Sequence, residues 1–233
     1  MTFRLLVLVL VALGSCPFLT AQPAPSRFEM RINGEPVDLH EFRQGVFALV
    51  PFRGPAEVEI RTHVNTRWVD IRPLSSSTRA TIDADHETVR FRLDQPRNLT
   101  IEFNCDIERV VHLFAYPPET DAPQPGDPAV RYFGPGRHEA GVIELHEGET
   151  LYLAPGAWVR GCVRAVNTRN ISIQGRGILD GSGLDEMRAA HREAASSPDP
   201  AYAGWNHNMI FLRNVTGARL GGITLFDSRA WTV

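Results

Sequence analysis

Short apolar runs recur along the C-terminal half of the 233-residue chain, and each is closed by Gly, Asn or a tight turn. The runs are VIEL (142–145), TLYL (150–153), AWV (157–159), ISI (171–173), IL (178–179), MIFL (209–212), RL (219–220), ITL (223–225) and WTV (231–233). NISIQG (170–175) matches GARLGG (217–222) at an offset of 47 residues, and GILDG (177–181) parallels ITLFDS (223–228). Such a period is typical of a solenoid of stacked parallel strands. The pattern predicts the first coils of a right-handed parallel β-helix over 137–233.

An insertion separates the two matching coils. Residues 184–207 carry no strand pattern, and residues 185–195 (DEMRAAHREAA) are rich in strong helix formers. We expect a short helix there, ended by the SSPDP segment at 196–200. Long loops on solenoids often build a binding face.

Residues 27–116 follow a different rhythm, in which apolar and polar side chains alternate. The alternating runs are FEMRI (28–32), EVEIR (57–61), WVDIR (68–72), VRFRL (89–93) and LTIEF (99–103). A period of two indicates strands with one buried and one wet face. Several such strands between turn signals predict an antiparallel β-sandwich, so the whole chain is expected to be all-β.

A proline-rich segment joins the two regions. Residues 117–128 (PPETDAPQPGDP) contain five prolines, which fix φ and lack a backbone donor. We therefore expect a linker over 117–136 and a domain boundary near its start.

The N-terminus resembles an export signal followed by a short proline-rich stretch, together residues 1–26. Arg4 precedes an apolar run over 5–13, which is too short for a transmembrane span because a bilayer of about 30 Å needs about 20 apolar residues. Two exits compete. LTA (19–21) resembles a cleavage site, whereas LGSC (13–16) resembles a lipobox that would leave Cys16 lipidated, although Pro17 fits that poorly. The chain is expected to be secreted or periplasmic.

Composition and missing motifs exclude several classes. The net charge is −3 with no basic run, which argues against nucleic acid as a partner. Neither nucleotide-binding glycine motif occurs, so no cofactor is predicted, and no Asp-rich calcium loop or metal-type His spacing is present. Cys105 and Cys162 fall in different regions, and we favour free buried thiols over a bridge between them.

The two halves resemble known carbohydrate-active families. GETLYLAPGA (148–157), IQGRGILDG (173–181) and ITLFDSRAW (223–231) resemble the opening coils of glycoside hydrolase family 28, which includes the polygalacturonases. LTIEFNCD (99–106) and HLFA (112–115) resemble the β-sandwich that precedes the helix in family 49, the dextranase and isopullulanase type. The resemblance covers roughly residues 60 to 233. It implies a pectin-lyase-like fold and hydrolysis of a polysaccharide with inversion.

The sequence departs from the family 28 pattern in two places. Arg229 and Ala230 stand where that pattern has Pro and an aromatic residue. The Asn-Thr-Asp, Asp-Asp, Gly-His-Gly and Arg-x-Lys motifs that the family carries on later coils do not occur before Val233. We therefore expect the chain to be an N-terminal fragment, with its catalytic residues beyond Val233 and without activity of its own.

Five residues are candidates for contact with substrate. Asp180 and Asp227 end matching strands, where they either line one face of the solenoid or act as turn residues that accept bonds from backbone amides. Trp231 and Trp158 either stack on a sugar ring or belong to the core. Trp205, in the polar run WNHN (205–208), either touches substrate or lies on a solvated loop. Trp231, Asp227 and Trp205 are our predicted substrate-binding residues.

Two hypotheses stand beside hydrolysis, because fold alone does not set function. One is a non-catalytic polysaccharide-binding β-helix protein, and the other is a polysaccharide lyase on the same fold. In each case the expected partner is a pectin-like or glucan polysaccharide, and we expect a monomer.

Overall fold

The computed structural model describes residues 27–183, 208–228 and 232–233. The predicted signal, the predicted helix over 185–195, Trp205 and Trp231 lie outside these residues. The chain divides into two compact units, Met1–Tyr116 and Pro117–Val233. None of the described segments is a helix with the length and apolarity that a membrane crossing requires.

The first unit consists of two five-stranded sheets around one apolar core. Its strands are β1 (Glu29–Ile32), β2 (Glu35–Pro36), β3 (His40–Phe42), β4 (Gly45–Pro51), β5 (Ala56–Arg61), β6 (Val69–Arg72), β7 (Thr81–Ile82), β8 (Thr88–Leu93), β9 (Asn98–Phe103) and β10 (Asp106–Tyr116). The strand orders are β2-β1-β5-β8-β7 and β3-β4-β10-β9-β6. A 3₁₀ turn, Leu74–Ser76, follows β6.

The alternating runs form the strands that the sequence predicts. In β5, Val58 and Ile60 are buried while Glu57 is exposed, and in β8 Phe91 and Leu93 are buried likewise. All neighbours pair antiparallel except β4 and β10, which are parallel. The predicted antiparallel sandwich is confirmed apart from this one pair, because an alternation of period two does not encode strand direction.

The second unit is built from stacked parallel strands. They are β11 (Val130–Phe133), β12 (Gly136–Glu144), β13 (Thr150–Leu153), β14 (Ala157–Arg169), β15 (Ser172–Gly175), β16 (Ile178–Asp180), β17 (Ile210–Thr216), β18 (Arg219–Gly221) and β19 (Thr224–Phe226). The first sheet has the order β11-β13-β15-β18, and the second has the order β12-β14-β16-β19. The predicted parallel β-helix is confirmed.

The long strand β14 bends and serves two faces of the helix. Its first residues pair with β16, whereas the segment from Val163 onward pairs with β17. The matching bend in β12 is a register shift between Glu139 and Gly141. The segments beyond the bend form a third face, on which Ile210 N donates to Thr232 O at 3.0 Å.

The helix interior is filled by aliphatic ladders. Leu151, Leu153 and Ile173 project inward from the first sheet, and Val159 and Leu179 project inward from the second. These side chains are almost fully buried. Stacking the aliphatic side chains of successive coils buries their surfaces away from water. Each Å² of buried apolar surface contributes about 25 cal/mol of stabilising free energy, so the ladders stabilise the solenoid.

The first coil begins inside the segment predicted as a linker. Strand β11 lies within residues 117–136, and Thr150 N of the next coil donates to Ala129 O at 2.9 Å. The linker prediction is therefore wrong for its last part. Residues 130–133 (VRYF) follow closely after the proline run and form β11, which pairs in parallel with β13. The nearby prolines made this short strand hard to recognise in the sequence.

The repeat of 47 residues is confirmed in its first half only. Asn214 Nδ2 donates to Asn167 Oδ1 at 2.9 Å across 47 residues, and Ile173 pairs with Leu220 in the same register. After the corner the register changes by one, so that Asp180 pairs with Phe226. The corner Gly175–Gly177 is one residue longer than its counterpart after Gly221.

Candidate functional site

The outward face of the second sheet carries two rows of polar and aromatic side chains. Because side chains alternate along a strand, the residues beside the inward Val159 and Leu179 point outward. In register, the rows are Arg137, Trp158, Ile178 and Thr224, and Glu139, Arg160, Asp180 and Phe226. We call these two rows the second-sheet face.

Asp180 is held in place on this face by two donors. The residue is only 6% exposed. Trp158 Nε1 donates to Asp180 Oδ2 at 2.7 Å, and Ser182 N donates to Oδ1 at 2.8 Å. Hydrogen bonds of this kind to a buried carboxylate are stronger than neutral ones. Asp180 therefore fixes the orientation of the Trp158 ring.

The Trp158 ring lies between a cation and a second aromatic ring. The Arg137 guanidinium carbon is 4.8 Å from the Trp158 ring centroid. Phe226, from the next coil but one, meets the same ring edge-on at a centroid distance of 5.3 Å. An indole fixed by a hydrogen bond and an edge contact presents a rigid amphipathic surface, which suits contact with the face of a sugar ring.

Arg160 and Glu139 form an ion pair at the same face. Arg160 Nη1 lies 3.3 Å from Glu139 Oε2, and the Glu139 side chain is well exposed. An exposed pair of this kind contributes little to stability, about 0–1 kcal/mol. Guanidinium and carboxylate groups of this kind can exchange hydrogen bonds with hydroxyl groups.

The structure corrects the predicted position of Asp227. The sequence match placed it parallel to Asp180, but Phe226 takes that position and Asp227 follows one residue later. Asp227 is exposed and has a left-handed backbone with φ of 49°. The reason is the shorter corner before β19, which shifts every later residue of that coil by one place.

The structure brings together only part of the predicted site. Trp231 and Trp205 lie outside the described residues, so their contacts with substrate remain predictions. The alternative interpretation of Asp180 as a turn residue is supported by its bond from Ser182 N. The sequence pattern does not predict the bond from Trp158, because it is diagonal: in register Trp158 pairs with Ile178, and Asp180 lies two residues further along that strand.

Both cysteines that the structure describes are free thiols. Cys105 is exposed and Cys162 is buried in the helix core, so the expectation that both are buried is wrong for Cys105. Burial raises the pKa of the Cys162 thiol to about 11. Within the described residues, no group of three or more His, Cys, Asp or Glu side chains is arranged to hold a metal ion.

Comparisons with known proteins find a likeness in fold to solved structures. No family model matches the sequence, and no curated protein matches it. Among solved structures, the chain is similar to Dex49A from Penicillium minioluteum, with a TM-score of 0.52 and 17% sequence identity. The match covers 77% of this chain and 42% of Dex49A, so the chain spans about two fifths of that protein. At this identity the likeness establishes the fold.

Proposed function

We propose that this chain supplies the β-sandwich and the first β-helix coils of a glycoside hydrolase that acts on a polysaccharide. The observation that carries the proposal is the second-sheet face, where an indole, two guanidinium groups and carboxylates lie together on the outside of a parallel β-helix. The likeness in fold to Dex49A and the resemblance of the sandwich sequence to family 49 support this proposal.

The mechanism implied by the resemblance is hydrolysis with inversion. One carboxylic acid protonates the leaving oxygen while a carboxylate activates water on the opposite face of the sugar, and the two groups stand about 6.5–9.5 Å apart. Strands about 4.8 Å apart hold side chains of neighbouring coils at intervals that suit this separation.

We assign Asp180 a positioning role in this mechanism. Its two oxygens already accept bonds from Trp158 and Ser182, and its side chain is buried. We place the catalytic carboxylates in coils that would follow Val233, and we place Trp158, Asp227, Trp205 and Trp231 among the groups that bind substrate. Polygalacturonide is one candidate substrate and dextran is another.

A reducing-sugar assay tests the catalytic proposal. We expect the 233-residue chain to release no reducing sugar from polygalacturonate, pectin or dextran, and we expect release once the coding sequence downstream of codon 233 is expressed with it. Proton NMR of the first product should show an inverted anomeric centre. Activity of the 233-residue chain by itself would show that the catalytic groups have been misplaced.

Non-catalytic binding is the second candidate function. The engagement of Asp180 in two structural hydrogen bonds favours it, because the buried carboxylate of the second-sheet face is then a support for Trp158. Retention of the chain on an insoluble polysaccharide, with no bond cleavage by the extended protein, would establish this alternative. An unsaturated sugar product would instead establish a lyase.

Export is proposed on the sequence of residues 1–26. Mass spectrometry of the mature N-terminus distinguishes the two ways of processing. Cleavage after Ala21 leaves Gln22 as the first residue, whereas processing at the lipobox leaves an acylated Cys16 as the first residue. An intact Met1 in the mature protein would contradict both.

A further inference from the structure

A second groove runs along the first sheet. Outward side chains form most of its lining, and Ile171, Ile173 and Leu220 line it where it reaches strand β18. It consists of three adjoining clefts of about 290, 390 and 510 Å³. Gln174 lines all three of them, Glu119 and Arg176 line the first two, and Ser172 and Arg219 line the last two. We call this continuous depression the first-sheet groove.

One wall of the groove is the proline-rich segment, which is fastened to the helix. Tyr152 is almost fully buried, and its hydroxyl donates to Glu119 Oε2 at 2.7 Å. The ring of Tyr132, in the neighbouring coil, packs against the Tyr152 ring with 5.2 Å between the ring centroids. Pro117, Pro118 and Pro123 line the cleft beside Tyr152, so this segment is a fixed wall of the groove.

Gly221 lies at one end of the groove, on β18, the edge strand of the first sheet. Tyr152, Gln174 and Gly221 occupy the same outward row of successive strands. A Cβ placed on Gly221 would meet nothing within 4 Å, and its backbone is not in the left-handed region. Along this row the side chains become smaller, from the Tyr152 ring to the Gln174 amide to the bare backbone of Gly221.

The lining groups are those that bind sugar hydroxyls. Carboxylates of Glu119 and Asp121 accept hydrogen bonds, guanidinium groups of Arg176 and Arg219 donate them, and the Gln174 amide does both. The two negative and two positive charges balance, which favours an uncharged ligand over a uronate. The volumes of the clefts suit one to a few sugar rings.

We propose that the first-sheet groove binds a neutral oligosaccharide segment, as a site separate from the second-sheet face. The inference rests on the proposed function, because it takes its ligand class from a protein that acts on polysaccharide. In such a protein, a groove on another face of the solenoid would retain the polymer while a different segment of it is cut. Simultaneous contact at two sites raises the affinity for a long chain above that for a short one.

Calorimetric titration of the full chain with neutral tetrasaccharides tests the groove. The probes are isomaltotetraose, cellotetraose and xylotetraose, with tetragalacturonate as the charged comparison. Gly221→Leu fills the groove without backbone strain, and Arg219→Ala removes a lining donor. Arg169→Ala is the matched control, because Arg169 is an exposed arginine of the same unit that pairs with Glu147 outside the groove.

We expect both groove variants to weaken binding of the tetrasaccharide at least about tenfold, and the control to leave it unchanged. Unchanged melting temperatures verify that the variants fold. If both groove variants bind the tetrasaccharide as tightly as the native chain does, the groove is not the binding site. That result would leave the proposed hydrolase function untouched. Groove-dependent binding without hydrolysis by the extended protein would support the groove and contradict the hydrolase. Preferential binding of tetragalacturonate would overturn the neutral ligand.

Discussion

Trp158 Nε1 donates to Asp180 Oδ2 at 2.7 Å, which joins two neighbouring coils on the outside of the helix. We expect Asp180→Ala to destabilise the protein by about 1–3 kcal/mol, because it leaves the partly buried indole donor and Ser182 amide without this acceptor. Urea unfolding followed by circular dichroism measures the change.

Asp127→Ala is the matched control for that substitution. Asp127 Oδ1 accepts a hydrogen bond from Ala129 N at 2.9 Å in a similar turn, but Asp127 is exposed whereas Asp180 is buried. Its replacement should cost less than about 1 kcal/mol. Equal losses at the two positions would show that the indole bond contributes nothing.

Tyr152 makes the stability of the protein sensitive to alkaline pH. Burial, followed by the hydrogen bond to Glu119, raises the pKa of its phenol above the usual 10.0. The unfolded chain therefore ionises first, so the contribution is fully present below about pH 10 and is lost as pH rises beyond it. The sequence contains no lysine, which leaves few other groups titrating in this range.

Tyr152→Phe tests this dependence. We expect the variant to lose about 1–2 kcal/mol at pH 7, and to show a slope above pH 10 that is shallower by up to about 1.4 kcal/mol per pH unit. Tyr132→Phe, in the neighbouring coil, provides the control. Identical slopes for the native chain and Tyr152→Phe would contradict the assignment.

Gly175 occupies a corner that no other residue fits. Its φ is +130°, and a Cβ there would lie 2.0 Å from Leu153 O. We expect Gly175→Ala to cost more than about 2 kcal/mol, because backbone must move. Gly221→Ala, where a Cβ meets nothing within 4 Å, should change the free energy of unfolding by less than about 0.5 kcal/mol.

The two described cysteines should differ sharply in reactivity. Cys162 is buried and its pKa is raised to about 11, so little thiolate is present or accessible at pH 8. Cys105 is exposed. Iodoacetamide labelling mapped by peptide mass spectrometry should modify Cys105 in the native protein and Cys162 only after unfolding. Comparable native labelling at both would contradict the burial of Cys162.

The sequence predicted the strands of both units better than it predicted their partners. Alternation at 57–61 and 89–93 identified β5 and β8, since burying one face of a strand requires that period. The local pattern of apolar and polar residues does not indicate that β10 runs parallel to β4. Gly45 is the consequence of that pairing, because a Cβ there would lie 1.9 Å from Val110 O.

The candidate site shows the same division. Asp180 was recognised as a strand-end carboxylate, but Asp227 was matched to it through an offset that holds only before the corner. One residue fewer in that corner places Phe226 against Trp158. The bond from Trp158 to Asp180 and the bond from Tyr152 to Glu119 were also beyond prediction, because each depends on which residues the coils bring into register.

The sequence by itself determined that the second unit would be a stack of short strands with an aliphatic interior, because inward positions must be apolar wherever the coils stack. Only the tertiary structure decided which outward side chains become neighbours. Their pairing depends on the number of residues in each corner, and a change of one residue moves every following side chain to another place in the stack.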